Sequence, residues 1–405
     1  MRILQINTVV NSGSTGRIAE DIGKVLMANG HESFIAYGRG NQKSQSQLIK
    51  IGTQKDVIMH GIKSMVFDRH AFGSQHATEK LIEQIEAINP DVIGLHNVHG
   101  YYLNIEVLFN YIAEKKIPVI WTLHDCWAFT GHCAYFDSVS CEKWKTICHK
   151  CPKTRSYPTS YLMDNSQKNF LDKKRIFNQV ANGTIVTPSR WLKNLVEESF
   201  LNYPAVNIHN GIDIEIFRPN ENKADIREKY NISGDKIILG VASIWDVRKG
   251  LADFIKLHEI NNGRYQIILV GVSEKQQNAL PKGIIGIRRT ENTHELASLY
   301  SLADVFVNPT YQDNFPTTNI EALACGTPVI TYKTGGSPEA IDDCTGIVVP
   351  KGEITALNSA INNILDKGKA HFSAACRERA ENRFNKDDRY MEYLELYEKV
   401  RHSPK

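Results

Sequence analysis

Two successive series of short apolar runs, each alternating with amphipathic stretches, leave this chain few folds; the second series begins afresh near Lys236. A buried parallel strand reads as a brief Val, Ile and Leu run, and the helix returning the chain must lay an apolar stripe on the sheet. Such alternation marks a doubly wound α/β sheet covered on both faces. Strands are expected at Arg2 to Val10, Ser33 to Tyr37, Asp91 to Leu95, Val119 to Leu123, Thr184 to Thr187 and Val206 to His209. In the second series they fall at Ile237 to Val241, Gln266 to Val270, Gly283 to Ile287, Asp304 to Asn308, Pro328 to Thr331 and Gly346 to Val349. Helices are expected at Arg17 to Asn29 and at Lys80 to Ile88, where Leu81, Ile82, Ile85 and Ile88 share a side.

A chain of 405 residues exceeds one compact core and suits two lobes. Two Rossmann-like domains are therefore expected, residues 1–210 and 211–385, with residues 386–405 as a charged terminal helix. The polar stretch Ile212 to Asp235, carrying Pro219, Asn220 and Asn222, joins them, with a hinge near Asn210 to Pro219. The 42% apolar and 23% charged composition is that of an ordinary globular protein. The first 205 residues hold 23 Lys/Arg against 18 Asp/Glu, the remainder 25 against 27, so no concentrated basic face argues for nucleic acid. A weak peripheral attraction of the first lobe to an anionic membrane is allowed. No run approaches the length of a membrane span, and Gln5 and Asn7 break the N-terminal run as a strand would, so a cytoplasmic location is expected, at most against the inner face of the cell membrane.

The stretch Asp313 to Ile330 (DNFPTTNIEALACGTPVI) carries the strongest chemistry. Pro316 pre-sets a helix start, and Gly326 with Pro328 stops the helix. The opening amides around Asn314, Phe315, Pro316, Thr317 and Thr318 form a donor-rich mouth suited to a diphosphate, Pro316 lending shape only. Asp313 precedes that mouth, and Glu321 lies about one turn inside it, where it can accept from a sugar or ribose hydroxyl. After the first strand of this half, Arg248 and Lys249 in the run WDVRKG can meet phosphate, the former as a fork and the latter as a point charge. In the first half, Asn11 to Gly16 is a small-residue loop in which Gly13 and Gly16 let backbone approach a ligand. His96, Asn97 and His99 follow one strand, and His124 with Asp125 follows the next. Ser189 reads as a helix cap.

The segment from Asp313 to Glu321 resembles the Glu-x7-Glu signature of the retaining family 4 glycosyltransferases, and its RKG and Thr122-x-His124-Asp125 motifs are similar to that family's. The resemblance extends over most of the chain and is closest, in Asp91 to Pro152, to the colanic acid and capsule-type branch. It implies the GT-B fold, two Rossmann-like doubly wound domains facing each other across a cleft, with the last helix crossing back to the first lobe. It implies a hexose-type sugar moved from a nucleoside diphosphate sugar to a carbohydrate or lipid-linked oligosaccharide in cell-surface polysaccharide biosynthesis. Lys249 would contact the donor diphosphate, Asp313 the sugar hydroxyls, Glu321 the ribose and His124 the sugar near the reacting carbon. His96, Asn97, His99 and Trp127 fall on the acceptor side, and no metal cofactor is needed for catalysis. Asp313 departs from the usual Glu, and Ser243 stands where many relatives have Arg. A sugar-nucleotide epimerase and a non-catalytic nucleotide-sugar sensor would keep the same phosphate elements.

Five of eight cysteines lie between Cys126 and Cys151. Cys133, Cys141, Cys148 and Cys151 are either a structural zinc site, the last pair having half-site spacing, or free thiols. The same loop holds Trp127, Phe129 and Trp144 and is read as shaping the acceptor side.

Overall fold

The computed structural model describes residues 1–40, 42–220 and 224–402; Asn222 of the joining stretch lies outside them. Two compact units emerge, one of Met1–His209 with Arg389–Lys405, the other of Asn210–Asp388.

The first unit is built on a seven-stranded sheet ordered β3-β2-β1-β4-β5-β6-β7. Its strands are β1 (Arg2–Val9), β2 (Glu32–Arg39), β3 (Gln47–Lys50), β4 (Val92–Leu95), β5 (Val119–Thr122), β6 (Gly183–Thr187) and β7 (Ala205–Asn207). All pairings are parallel. The edge strand β3 was not expected, because a strand with only Leu48 and Ile49 between Gln47 and Lys50 offers almost no apolar signal. The helix expected from Arg17 starts earlier and spans Gly13–Ala28, so the small-residue loop supplies its opening turn.

The second unit holds a six-stranded parallel sheet ordered β10-β9-β8-β11-β12-β13. Its strands are β8 (Ile237–Val241), β9 (Gln266–Val270), β10 (Ile284–Ile287), β11 (Val305–Asn308), β12 (Val329–Tyr332) and β13 (Gly346–Val349). The joining stretch, read only as polar, contains the short helix Ala224–Lys229, whose one buried side chain, Ile226, gives too little period to be seen in sequence.

Both sheets reverse their winding beside their first strand, between β1 and β4 and between β8 and β11. Loops part at such a point, and ligands of open α/β sheets collect there, outside the carboxyl ends of the strands. The buried polar residues of β1 serve that edge. Gln5 and Asn7 are fully buried. Gln5 donates to the Ala19 carbonyl at 2.8 Å, and Asn7 accepts from the Asn97 N–H at 3.3 Å.

The terminal helix Lys386–His402 begins in the second unit, where Lys386 N–H donates to Ile212 O at 3.0 Å. From Arg389 it belongs to the first unit, with Tyr390, Tyr393, Leu394, Tyr397 and Val400 packed around Ile3, Val92, Ile120 and Val186. Gly94 in β4 makes room for it, since a Cβ there would lie 2.3 Å from the Tyr397 hydroxyl oxygen. Gly94→Ala is therefore expected to lower the unfolding free energy by about 1–3 kcal/mol through overpacking. Adding Tyr397→Phe should recover most of the loss in denaturant titration, and a double variant no better than Gly94→Ala would refute this packing.

Candidate functional site

In the second unit, the loop after β8 closes in a short turn, Val247–Lys249, capped by Asp246, which accepts from the Lys249 N–H at 3.1 Å. Gly250 follows at φ +76, and a Cβ there would sit 2.3 Å from the Pro309 carbonyl oxygen. Only glycine permits so close an approach, which lays the β8 loop against the β11 loop. Lys249 Nζ thereby reaches Asp313 Oδ2 at 2.5 Å, and Arg248 Nη1 donates to the Gln312 carbonyl at 3.0 Å. Both members of the Lys249–Asp313 pair keep some solvent access, 17% and 14% of their side-chain surface.

Beyond Asp313, Asn314 turns its N–H back to Asp313 Oδ1 at 2.9 Å, and Pro316 caps the helix Thr317–Ala324. Gly326 ends that helix at φ +68. Thr317 and Thr318 are half-buried, whereas Asn314, Phe315 and Pro316 are buried. The Phe315 ring packs on Phe384 with centroids 5.7 Å apart, so its side chain is core and only its main chain can serve a ligand. Glu321 is 7% exposed and accepts from the Tyr300 hydroxyl at 2.8 Å. Burial, and then the Glu321 carboxylate, hold the Tyr300 hydroxyl proton far above its ordinary range, which keeps Tyr300 a donor. Lys249, Arg248 and Asp313 thus come together at the switch point, while Glu321 is oriented by a different partner.

A buried polar chain ties the helix to its strands. Asn308 Nδ2 donates to Asn319 Oδ1 at 2.8 Å, Asn319 Nδ2 reaches Ser337 Oγ at 3.0 Å, and Ser337 meets Thr331 at 2.6 Å. Tyr300, Asn308 and Asn319 escaped the sequence reading, as did Ser337 in this role. A poor helix former such as Asn319 amid apolar helix residues was the one available signal.

In the first unit, Gly13 and Gly16 lie in the opening turn of the helix Gly13–Ala28. His96 and His124 stack, with centroids 5.4 Å apart and planes 16° off parallel, and His96 Nδ1 lies 3.2 Å from His124 Nε2. The other His96 nitrogen meets Gln5 Oε1 at 3.0 Å. At 2% exposure His96 supports His124 rather than offering itself to a ligand. Burial lowers the His96 imidazole well below its usual range and brings that of His124 to about 4. His99 bridges Asp125 at 3.0 Å and the Tyr157 hydroxyl at 2.9 Å. Burial alone would raise the Asp125 carboxyl, but His99 and the Trp127 N–H outweigh it and lower it. Asn97 accepts from Thr8 and Tyr102 through its carbonyl. Ser189 caps the helix Arg190–Glu197 as expected, accepting from the Leu192 N–H at 3.1 Å.

Trp127, expected on the acceptor side, packs against the His99 ring with centroids 5.1 Å apart. It is 1% exposed, beneath the ammonium of Lys173, which stands 3.3 Å from its ring centroid. Phe129 and Trp144 are equally buried, so these aromatics hold the cysteine loop down as core. Lys173 donates to the carbonyls of Trp127 and Thr130 at 2.8 and 3.1 Å, and burial lowers its ammonium to about 7. Nearby, Arg39 at the end of β2 sends its guanidinium toward Gly100 and the Tyr101 ring, 6.0 Å from the centroid. Among the described residues it has no ion pair, and its buried Nε has no hydrogen-bond partner.

Cys133, Cys141, Cys148 and Cys151 line one cavity with Phe136 and Trp144. Nevertheless, among the described residues no group of three or more His, Cys, Asp or Glu side chains is arranged to hold a metal ion. The thiols of Cys133 and Cys151 pair with each other, and Cys148 Sγ takes the Gly131 N–H at 3.2 Å.

The family model described as Glycosyltransferase Family 4 matches residues 15–216, and that of Glycosyl transferases group 1 matches residues 222–383. The chain is 26% identical over 379 residues to WcaC of Escherichia coli strain K12, a glycosyl transferase named for colanic acid biosynthesis, covering 88% of this chain and 89% of that one. Its fold is similar to the sucrose-phosphate synthase of Thermosynechococcus elongatus, with TM-score 0.74, 18% identity and 98% of both chains covered. It is also similar to Anabaena HepE solved in complex with UDP, with TM-score 0.72, 16% identity, and 98% and 100% of the chains covered.

The buried histidines give the first unit a definite acid response. His60, lowered to about 3, and His70, His96 and His124 all bind protons more tightly unfolded than folded. Their contribution is complete above pH 6.5 and is lost as the pH falls toward 4. His132, which Asp68 raises against the effect of burial, acts with the opposite sign. Unfolding free energy is expected to drop by at least about 2 kcal/mol between those limits, each tenfold change in proton affinity being worth about 1.4 kcal/mol. A flat denaturant midpoint across that window would contradict the assignment.

Proposed function

The chain belongs to the GT-B glycosyltransferases of the family 4 type, and on that premise we propose that it moves a hexose-type sugar from a nucleoside diphosphate sugar with retained configuration. The acceptor is a carbohydrate or a lipid-linked oligosaccharide in cell-surface polysaccharide biosynthesis, the setting for which WcaC is named. Capsule-type polymer is the product class, and the reaction runs in the cytoplasm at the inner membrane face.

The observation that carries this reading is the Lys249–Asp313 contact at the β8/β11 switch point. A diphosphate meeting that pair exchanges one anion for another around an ammonium already desolvated in part, which costs less than stripping water from a bare cation. In the transfer the bond between the sugar's anomeric carbon and the diphosphate oxygen breaks. The acceptor oxygen bonds to that carbon on the same face, and its proton passes to the departing phosphate. Lys249, Arg248 and the amides opening the helix Thr317–Ala324 stabilise the growing negative charge. These groups do the work that a divalent cation would otherwise do. Asp313, relieved of Lys249, accepts from donor sugar hydroxyls, and Glu321, oriented by Tyr300, accepts from the ribose. His124, kept neutral by burial, meets the sugar near the reacting carbon. Gly13 and Gly16 bring backbone toward the donor, Asn97 and His99 serve the acceptor, and Arg39 takes an acceptor phosphate.

A panel of UDP and GDP sugars tests this, with UDP first because the HepE structure holds it. One donor should be hydrolysed slowly without acceptor, and the released sugar should keep its anomeric configuration by proton NMR; inversion would end the retaining assignment. Lys249→Ala and Glu321→Ala are each expected to cut kcat/KM by ~100-fold or more, a loss of ~2.7 kcal/mol in transition-state stabilisation. Losses under ~3-fold in both would remove them from the site. Chelation with excess EDTA should leave the rate within ~2-fold, since no step uses a divalent cation, and a collapse restored by magnesium would reverse that assignment.

A further inference from the structure

His124 ends a run of buried hydrogen bonds whose proton positions can be read in order. The run starts in β1, where Gln5 is fully buried and its amide nitrogen reaches the Ala19 carbonyl at 2.8 Å. A carbonyl oxygen has no proton to give, so the nitrogen of the Gln5 amide must face it and the amide oxygen faces the other way. That oxygen meets His96 Nε2 at 3.0 Å. It too can only accept, so His96 carries its proton on Nε2.

A neutral imidazole holds one N–H, and His96 is neutral because burial keeps its imidazole well below the usual range. Its Nδ1 therefore presents a lone pair. His124 Nε2 lies 3.2 Å from that nitrogen, with the two rings 16° from parallel. Two lone pairs at such a distance would repel, so His124 Nε2 carries a proton. Burial brings the His124 imidazole to about 4, so at neutral pH it holds that one proton alone and its Nδ1 is an accepting nitrogen.

The adjacent carboxylate is engaged by other groups. Asp125 accepts from the Trp127 N–H through one oxygen at 2.9 Å and meets His99 through the other at 3.0 Å. The tautomer of His124 is thus directed from β1, two side chains away, and the choice bears on the chemistry. As the bond from the anomeric carbon to the diphosphate oxygen breaks, that carbon gains positive character, and a lone pair nearby is favoured over the positive end of an N–H dipole. A sugar hydroxyl can donate to the same lone pair.

We propose that Gln5 and His96 are positioning residues that hold His124 as its Nε2–H tautomer, so that the transferred sugar must offer His124 a hydroxyl proton. The sugar contact rests on the proposed transfer, whereas the tautomer belongs to the free protein. Long-range proton–nitrogen NMR of full-length protein carrying isotope-labelled histidine separates the two tautomers, and His124→Gln identifies the His124 signals by their loss. At neutral pH, Nδ1 of His124 should resonate as an unprotonated nitrogen and Nε2 as a protonated one. The reverse pattern, or an even mixture, overturns the proposal, and the wild-type spectrum decides this without any other variant. His96→Leu removes the acceptor and should let the second tautomer appear; His96→Asn, whose side-chain oxygen can stand where Nδ1 stood, should restore the single form. With the donor that the sugar panel identifies, His96→Leu should lose ~10-fold or more in kcat/KM and His96→Asn should regain most of it. Of the monodeoxy analogues of that donor, one should lose ~10-fold or more with the wild type but under ~3-fold with His124→Ala, as expected when a contact is removed from both sides. Equal rates for the wild type and His96→Leu, or no such analogue, would likewise overturn the proposal. The two readings fail separately: a panel yielding no donor strikes the proposed transfer, and a protonated Nδ1 strikes the relay.

Discussion

A parallel sheet sends all its strands' carboxyl ends to one edge, and every polar contact of consequence in this protein depends on that fact. Apolar side chains seal the sheet faces, so chemistry is confined to the edge where the winding reverses and the loops part. In the second unit that edge holds Lys249, Arg248 and Asp313; in the first it holds Thr8, Arg39 and the run from His96 to Tyr101. Residues far apart in sequence meet because neighbouring parallel strands end side by side.

Buried hydrogen bonds keep those loops in place. An unmade buried hydrogen bond costs more than a made one gains, so each such group selects one arrangement of its loop. Gln5 and Asn7 interrupt the apolar run of β1 and, through His96 and Asn97, set the loop after β4. Asn319 does the same for the helix after Asp313, reaching both Asn308 and Ser337. Tyr300 fixes Glu321 from a neighbouring helix. Lys173, deep in the first unit, pins the cysteine loop by two carbonyls and the face of Trp127. Separately, the Met65 carbonyl accepts from the Tyr161 N–H and holds the exposed stretch Tyr161 to Met163 beside the helix Gln54–Phe67.

That surface and the sealed sheets obey one rule with opposite outcomes. The helix Gln54–Phe67 places His60 inside because local main-chain groups and Ser74 satisfy it, and its large apolar residues Ile58, Met59 and Ile62 face away. A helix read only by its period would be assigned the reverse orientation, since period shows where a stripe lies and not which side of it is covered.

The strand and helix alternation, the restart near Lys236 and the Pro316 and Gly326 punctuation were legible from residue order alone, because strand runs, helix starts and helix stops are local. So was the placement of Lys249, Asp313 and Ser189 at strand and helix ends, which rests on local signals. Other features belong to tertiary structure. The burial of Trp127 and His96, the Tyr300 partner of Glu321, the thiol pairing of Cys133 with Cys151 and the outward face of Gln54–Phe67 all depend on neighbours distant in the chain. Sequence states which groups can form bonds, but long-range packing decides which of them are close enough to do so and which remain in water.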